Sequence, residues 1–308
     1  MSTFTPVVLF VYNRSDHLGR TLDALKKNRS ISNATLYVFS DGPRSEADEK
    51  GVNEVRDLVR QENGFGKTNI VESKSNRGLA TSVIDGVTQV LEEHGQVVVL
   101  EDDVVTSPGW YEFMNGGINY YKDIQKIWSI GGYCPPIKFP ESYRHNVFLS
   151  PMGTSYSWGT WIDRWQLIDW DITDFDEFLK DRERVKRFSG CKPSRIRLLK
   201  RTMRNKNNSW AVRFGYASAK HDRLNILPTK SRINNIGYDV GEHVLASTER
   251  TAKAKYSVTP VDEPFEFRDD LQLETEIVLA LRDFHHAPFS ARATHFVRRI
   301  LGRLGLVT

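Results

Sequence analysis

The stretch VVVLEDD at residues 97–103 decides the fold class of this chain. Its first four residues are apolar and mostly β-branched, which is typical of a strand buried on both faces of a parallel sheet. Three adjacent carboxylates, Glu101, Asp102 and Asp103, follow where the strand should end. Open α/β sheets bind ligands outside the carboxyl ends of their strands. The stretch therefore predicts a buried strand that leads directly into a binding site.

Three similar apolar runs precede this stretch, at residues 6–12, 35–39 and 69–73. The segments between successive runs, including residues 79–94, carry apolar residues at helical spacing. Buried strands that alternate with helices of this length indicate βαβ units and a parallel sheet. Each predicted strand ends in polar residues: Asn13-Arg14, Ser40-Asp41-Gly42, Ser75-Asn76-Arg77-Gly78 and Glu101-Asp102-Asp103. We expect these four clusters to meet at one edge of the sheet.

The pattern is looser beyond residue 108. It predicts the following elements: a helix at about 108–123, a strand at IWSIGG (127–132), an aromatic and Gly-rich stretch to about 170, a charged helical stretch at about 174–205, a helix at 209–220 and a strand that leads into a loop at 224–234. The predicted fold class is α/β, with a mostly parallel central sheet flanked by helices and a mixed second half. We divide the chain into residues 1–135 and 136–247, two halves of one domain, and a C-terminal extension at 248–308.

The composition is that of a globular protein, with 308 residues, 39% hydrophobic residues and a net charge of +4. Both charge signs are abundant, so no nucleic-acid partner is predicted. Cys134 and Cys191 lack the spacing of a zinc site or a disulfide framework, so we expect two free buried thiols. The first residues lack the basic leader of a signal peptide, and no apolar run reaches about 18 residues. These features predict a cytoplasmic protein.

The three adjacent carboxylates repel one another and need a compensating positive charge. A divalent cation, Mn²⁺ or Mg²⁺, held by one or two carboxylates and by substrate phosphates meets that need. Such a cation would also neutralise a diphosphate leaving group. The alternative is a solvated acidic turn, but the position beside three other polar strand ends favours a metal site.

The first 135 residues resemble the GT-A fold of glycosyltransferases, in particular the family of the N-acetylglucosaminyltransferase that begins complex N-glycan synthesis. The resemblance rests on an ordered set of motifs: Val11-Tyr12-Asn13-Arg14, Ser40-Asp41-Gly42, Glu101-Asp102-Asp103, Ser107-Pro108 and Trp110-Tyr111-Glu112-Phe113. It implies a nucleotide-sugar donor, with UDP as the expected nucleotide, and an acceptor hydroxyl on a glycan or a lipid-linked glycan.

The resemblance also implies roles for single residues. Contacts with the nucleotide sugar are implied for Tyr12, Asn13, Arg14, Asp41, Gly42, Arg77, Gly78, Glu101 and Asp102. Asp103 would be the direct metal ligand, and His243 resembles a late histidine that some GT-A enzymes place on the metal or the diphosphate.

The segment SYSWGTW at residues 155–161 resembles a Gly-rich aromatic loop of that family. Aromatic rings offer sugars an apolar face and glycine allows close approach, so Trp158, Gly159 and Trp161 are expected to contact the acceptor. The alternative is that these rings belong to the core.

A general base must accept the proton of the acceptor hydroxyl in inverting transfer. The resembled family supplies an aspartate just before a tryptophan, whereas residues 207–210 of this chain read NNSW, without a carboxylate. We nominate Asp163, which follows the aromatic loop, with Asp169, Asp171 and Glu242 as alternatives. A catalytically impaired relative that binds the donor without turnover therefore stays open.

Residues 291–307 combine four arginines with apolar residues on one helical side, which suits a helix lying on an anionic membrane surface. Packing on the domain or on a second subunit is the alternative. The predicted function is a metal-dependent glycosyltransferase of surface polysaccharide or lipid-linked glycan synthesis. A nucleotidyltransferase is disfavoured because no glycine-rich loop follows the first strand.

Overall fold

The computed structural model describes residues 4–237 and 257–285. The strands are β1 Val7–Val11, β2 Thr35–Ser40, β3 Lys67–Glu72, β4 Gln96–Glu101, β5 Val104–Thr106, β6 Ile127–Gly131, β7 Val147–Ser150, β8 Ser157–Trp161, β9 Leu224–Pro228 and β10 Ile233–Asn235. The helices are α1 Ser15–Lys26, α2 Glu46–Arg60, α3 Leu79–His94, α4 Trp110–Tyr121, α5 Ile162–Trp165, α6 Phe175–Lys180, α7 Arg182–Ser189, α8 Ser194–Met203, α9 Trp210–Lys220 and α10 Thr275–His285.

An eight-stranded sheet forms the centre of the fold, in the order β3-β2-β1-β4-β8-β6-β9-β7. The first four strands in this order pair in parallel. Strand β8 is antiparallel to both β4 and β6, and β7 is antiparallel to β9, whereas β6 and β9 run with the first four. Six strands thus share one direction. The predicted α/β class, with a mostly parallel sheet and a mixed second half, is confirmed.

Successive residues of β1 point to opposite faces of the sheet, and both faces are covered. Val7, Leu9 and Val11 pack into the hydrophobic cluster that contains α1, α2 and α4. Val8 and Phe10 pack into the cluster that contains α3 and α9. Burial of each such side chain stabilises the fold by about 1.5–3 kcal/mol relative to exposure. The uninterrupted apolar run of β1 follows from this two-sided cover.

Helix α3 matches its predicted range, residues 79–94. Val83, Val87 and Val90 lie on its buried side, at helical spacing. The helix ends at Gly95, whose φ of 75° lies in the left-handed region that glycine adopts without steric cost. Gly95 therefore defines the end of α3. The first turn of the helix lies beside the carboxyl ends of β1 and β2.

The charged stretch at 174–205 forms three helices, α6, α7 and α8, rather than one continuous helix. Asp181 has an extended conformation and caps α7, because its carboxylate accepts the N–H of Arg184. Pro193 directly precedes α8, and a proline at a helix start supplies no N–H to the previous turn. The three helices pack around Phe178, Phe188 and Leu199, together with α9.

The antiparallel ribbon of β5 and β10 is separate from the central sheet. Val104 pairs with Asn235, and Thr106 pairs with Ile233. The ribbon therefore brings residues 235–237 against the acidic turn that follows β4.

Only part of the predicted C-terminal extension is described. Phe265 and Phe267 pack on Phe113 of α4, with ring centroids 5.3 and 5.4 Å away. Residues 291–307 and their predicted membrane contact lie outside the described residues. No helix within the described ranges has the length and apolar character needed to cross a membrane. Cys134 and Cys191 are free and buried, as predicted.

Candidate functional site

A cavity of about 240 Å³ opens at the carboxyl ends of β1, β2 and β4. Its lining residues are Phe10, Val11, Tyr12, Arg14, Phe39, Asp41, Arg44, Asn76, Leu79, Ser82, Glu101 and Asp102. Each of the four predicted strand-end clusters thus contributes to this cavity, through Arg14, Asp41, Asn76, and Glu101 with Asp102. The structure brings them together because the parallel registers of β1 with β2 and of β1 with β4 align the strand ends.

One guanidinium group joins the two aspartates of the acidic cluster. Nη2 of Arg14 forms ion pairs with Oδ1 of Asp102 and, at 3.0 Å, with Oδ2 of Asp103. Strand β4 ends at Glu101, and the chain turns at residues 102–103. The side chains of Asp102 and Asp103 therefore both face Arg14. A strand that continued to residue 103 would instead place Glu101 and Asp103 on the same face. The oxygens of two carboxylates converge on one positive atom.

Electrostatic repulsion inside the cluster is large because its members are buried. Burial and the neighbouring charges of Asp103 and Asp102 raise the pKa of Glu101 to about 8, against the lowering effect of Arg14. Burial also raises the pKa of Asp102, although the Arg14 guanidinium opposes that shift. The cluster carries more negative charge than one guanidinium neutralises, so it favours a further cation.

The acidic turn is also fixed from the β10 side. The N–H of Ile236 donates to the carbonyl of Asp103 at 2.8 Å, and Nδ2 of Asn235 lies 3.4 Å from Oδ1 of Asp103. A Cβ at Gly237 would overlap Oδ2 of Asp103, so a larger residue there would displace that oxygen. Asn235 and Gly237 therefore contact Asp103, although the sequence did not indicate a site role for either residue.

Asp41 organises the turn that leads into α3. Its carboxylate accepts backbone N–H groups from Gly42, Arg77 and Gly78, at 2.9, 2.8 and 3.0 Å. Gly42 is needed because a Cβ there would lie 2.5 Å from the backbone carbon of Ser75. Asp41 therefore joins the second and third strand-end clusters and forms one wall of the cavity.

Two of the predicted donor-binding side chains point elsewhere. Asn13 donates from Nδ2 to Oδ1 of Asp48 in α2 at 3.0 Å and does not line the cavity. Arg77 forms an ion pair with Asp85, so its backbone rather than its guanidinium serves the site. Tyr12 does line the cavity, and the Arg44 guanidinium lies 5.3 Å from the centre of its ring. Arg44 and Leu79 belong to the cavity and were missed, because neither residue lies at a strand end.

The acidic pair fits a divalent cation, whereas the resemblance implied Asp103 alone of the three carboxylates as a direct ligand. Carboxylate oxygens are the ligands that Mg²⁺ and Mn²⁺ prefer, and such ions are commonly held by one or two carboxylates plus substrate phosphates. Asp102 and Asp103 are two such ligands that already converge on the cationic nitrogen of Arg14. Among the described residues, no group of three His, Cys, Asp or Glu side chains has metal-binding geometry. His243, the other predicted ligand, lies outside the described residues.

The nomination of Asp163 as general base does not fit the geometry. Strand β8 is antiparallel to β4 and pairs Trp161 with Gln96, the first residue of β4. Asp163 therefore lies at the opposite edge of the sheet, about 17 Å from Glu101 at the usual rise per residue. Its carboxylate accepts from Nη1 of Arg164 at 2.8 and 2.6 Å and from Gln125 at 3.0 Å. The contacts assign Asp163 to an ion pair at the far edge.

The predicted acceptor residues Trp158, Gly159 and Trp161 form strand β8 and are buried. Trp158 is 1% exposed and stacks on Trp210 at 4.9 Å. Trp161 donates from Nε1 to the carbonyl of Ile118, and a Cβ at Gly159 would lie 2.7 Å from the carbonyl oxygen of Val97. These three residues belong to the core, which was the alternative reading of the motif.

Residues 7–124 match the model of Glycosyl transferase family 2. The matched segment is less than half of the chain and contains β1–β5 and α1–α4. No curated protein matches the chain.

Among solved structures, the chain is similar to a mannosyltransferase, PcManGT from Pyrobaculum calidifontis, whose structure holds GDP-Man and Mn²⁺. The identity is 14%, the TM-score is 0.36, and the match covers 52% of this chain and 46% of that one. TarS from S. aureus matches with 14% identity and a TM-score of 0.31, over 49% of this chain and 25% of that one. This chain thus spans less than half of either protein, and structural similarity at this level does not indicate a function.

The family match supports a glycosyltransferase, whereas the narrower resemblance to the N-acetylglucosaminyltransferase family stays a prediction. All residues that line the cavity, from Phe10 to Asp102, lie inside the matched segment 7–124.

Proposed function

We propose that this protein is a metal-dependent glycosyltransferase that moves a sugar from a UDP-sugar to an acceptor hydroxyl in surface polysaccharide or lipid-linked glycan synthesis. One observation carries the proposal: the cavity joins an apolar wall to a cluster of two aspartates and one arginine. A nucleotide sugar has the same two parts, a base with an apolar face and a charged diphosphate.

The apolar wall consists of Phe10, Phe39 and Leu79. The rings of Phe10 and Phe39 stack on each other at 5.5 Å, and Leu79 is 50% exposed at the start of α3. Such a surface accepts a planar base, and Tyr12 and Asn76 add polar groups that fix its orientation. The nucleoside would lie between β1, β2 and the first turn of α3.

The diphosphate would lie toward Arg14, Asp102 and Asp103. A divalent cation bound there supplies charge neutralisation for the leaving diphosphate. Asp102 and Asp103 would hold the cation, and Gly237 leaves Asp103 the space to do so. Arg14 would turn from the two carboxylates to the phosphate oxygens, for which a guanidinium has matching donors. Asp41 keeps the wall of the cavity in place through its three backbone hydrogen bonds.

The first test is the thermal stability of the protein with a panel of nucleotide sugars, each with and without Mn²⁺. We expect one UDP-sugar to raise the melting temperature only when the metal is present. Binding without hydrolysis or transfer would identify a catalytically impaired relative. If no nucleotide or nucleotide sugar shifts the melting temperature under either condition, the donor site is wrongly assigned.

The second test is the variant Asp103→Asn. Hydrolysis of the UDP-sugar should fall by about 100-fold or more, because a metal contributes several kcal/mol and each 1.36 kcal/mol is a factor of ten in rate. The matched control is Asp163→Asn, which removes another arginine-paired carboxylate at the far edge of the sheet. Equal hydrolysis by the two variants would contradict the metal assignment.

A further inference from the structure

A second cavity, of about 260 Å³, lies on the α9 face of the sheet. It is bounded by the loop at 152–155 between β7 and β8, by helix α8 and by the first turn of α9. We call the cavity at the ends of β1, β2 and β4 the donor cavity, after its proposed role, and none of its described lining residues lines the second cavity. Trp210, which lines this second cavity, stacks on the buried Trp158 of β8. The two cavities are therefore separate sites.

The charged residues that line this second cavity are all basic. Lys192 and Arg195 line it, and its lining contains no Asp or Glu among the described residues. The first turn of α9 adds the positive end of a helix of 11 residues. The hydroxyl groups of Thr154, Ser155 and Ser209 also line the cavity and can donate hydrogen bonds.

Arg195 is the most informative residue of this lining because its charge is buried and the described residues place no partner of opposite sign against it. The residue is 8% exposed. Its guanidinium donates from Nη1 to the carbonyl of Phe188 at 2.8 Å and lies 4.3 Å from the centre of the Phe188 ring. No carboxylate of the described residues forms an ion pair with it. Burial lowers the pKa of Arg195 to about 10, so the group stays charged at neutral pH.

The surroundings of Arg195 keep space for its guanidinium. A Cβ at Gly215 in α9 would overlap Nη2 of Arg195, so a larger residue there would displace the guanidinium. A guanidinium buried without a counter-charge is costly, whereas an anion in the cavity would form charge-assisted hydrogen bonds with it.

We infer that the second cavity binds an anionic group of the acceptor, a carboxylate or a phosphate on a sugar. This inference rests on the proposed function, because it names the class of acceptor that the transferase would use. Arg195 would hold the anion, and Lys192 and the hydroxyl groups would complete its shell. The acceptor would thus be an acidic or phosphorylated glycan rather than a neutral one.

The test is a calorimetric titration, without nucleotide and at constant ionic strength, with glucose, glucuronate and glucose 6-phosphate as probes. Wild-type protein should bind one or both charged sugars at least 10-fold more tightly than glucose. Comparison of glucuronate with glucose 6-phosphate distinguishes a carboxylate site from a phosphate site. Equal affinity for all three sugars would overturn the inference.

Three variants locate the binding. Arg195→Met should reduce the affinity for the charged sugar about 10-fold, to that of glucose. The matched control is Arg197→Met, an exposed arginine on the same helix, which should leave the affinity unchanged. Gly215→Ala keeps the charge but takes the space of Nη2, so it should weaken charged-sugar binding even if Arg195→Met fails to fold. Unchanged affinity in both Arg195→Met and Gly215→Ala would contradict the site.

The two proposals can fail separately because the titration involves no donor. If the wild-type protein prefers charged sugars through Arg195 but hydrolyses no nucleotide sugar, the anion site stands and the transferase proposal is wrong. If it hydrolyses a UDP-sugar but shows no preference among the probes, the donor site stands and the acidic acceptor is wrong.

Discussion

The two halves of the central sheet differ in the direction of their strands. In the half made of β3, β2, β1 and β4, every neighbouring pair is parallel, and the residues after the strands meet at one cavity. In the other half, β8 and β7 run against their neighbours. A residue after an antiparallel strand lies at the opposite edge, as Asp163 does. Position after a strand therefore indicates a site only where the direction of the strand is known.

The same difference separates two kinds of aromatic residue. Phe39 and Tyr12 line the donor cavity at the ends of parallel strands, whereas Trp158 and Trp161 are enclosed within β8. Three predictions test this comparison, in order of the expected change in the free energy of unfolding.

Trp158→Ala should destabilise the protein most, by about 3–5 kcal/mol, because it removes a fully buried ring that packs on Trp165, Trp210 and Phe214. The measurement is urea denaturation followed by circular dichroism. Leu79→Ala is the control from the parallel half, and its effect should stay below about 1 kcal/mol because the side chain is exposed. If the Trp158 variant is as stable as the wild type, the ring does not stabilise the core, and its predicted role in acceptor binding becomes the better assignment.

Asp41→Ala should cost about 2 kcal/mol, because it leaves the N–H groups of Arg77 and Gly78 without their acceptor. Asp41→Asn keeps one acceptor oxygen and should cost less. Hydrogen exchange of these two amides, compared with that of Gly95 at the other end of α3, measures the local effect. Unchanged protection of the amides in the alanine variant would show that the carboxylate does not hold the turn.

Asp163→Asn should have the smallest effect, about 1 kcal/mol, because the asparagine oxygen can still accept from Arg164, and the buried Arg164 guanidinium keeps its backbone carbonyl acceptors. Burial raises the pKa of Asp163, but hydrogen bonds from Arg164 and Gln125 outweigh it and leave the pKa below its usual value. The stability from this group is present above the usual carboxyl pKa and is lost as the pH falls through the folded-state pKa. The difference between wild type and variant should therefore shrink in acid, as unfolding curves between pH 7 and pH 2 can show.

The parallel half could be predicted from sequence because its signals are local. A run such as VVLFV at β1 identifies a strand buried on both faces, and the polar residues after it mark the site edge. The same reasoning placed Arg14, Asp41, Glu101 and Asp102 at one cavity, as the structure does.

The second half could not be predicted because its decisive facts are long-range. Nothing in SWGTW states that β8 inserts between β4 and β6 in the antiparallel direction. The partners of the acidic turn were also missed, because Asn235 reaches Asp103 only through the pairing of β10 with β5 across 132 residues. The sequence does not indicate that Arg195 is buried, because its burial depends on how three short helices pack.

The insertion of β8 beside β4 has a consequence for the growing chain on the ribosome. β4 is complete when residue 101 has been synthesised, but its partner β8 is complete only at residue 161. At about 5–20 residues per second, the nascent chain would wait roughly 3–12 s with the edge of β4 unpaired. An unpaired apolar edge is a template for aggregation. Slow translation between these two strands, or loss of a chaperone that shields the edge, should lower the yield of folded protein.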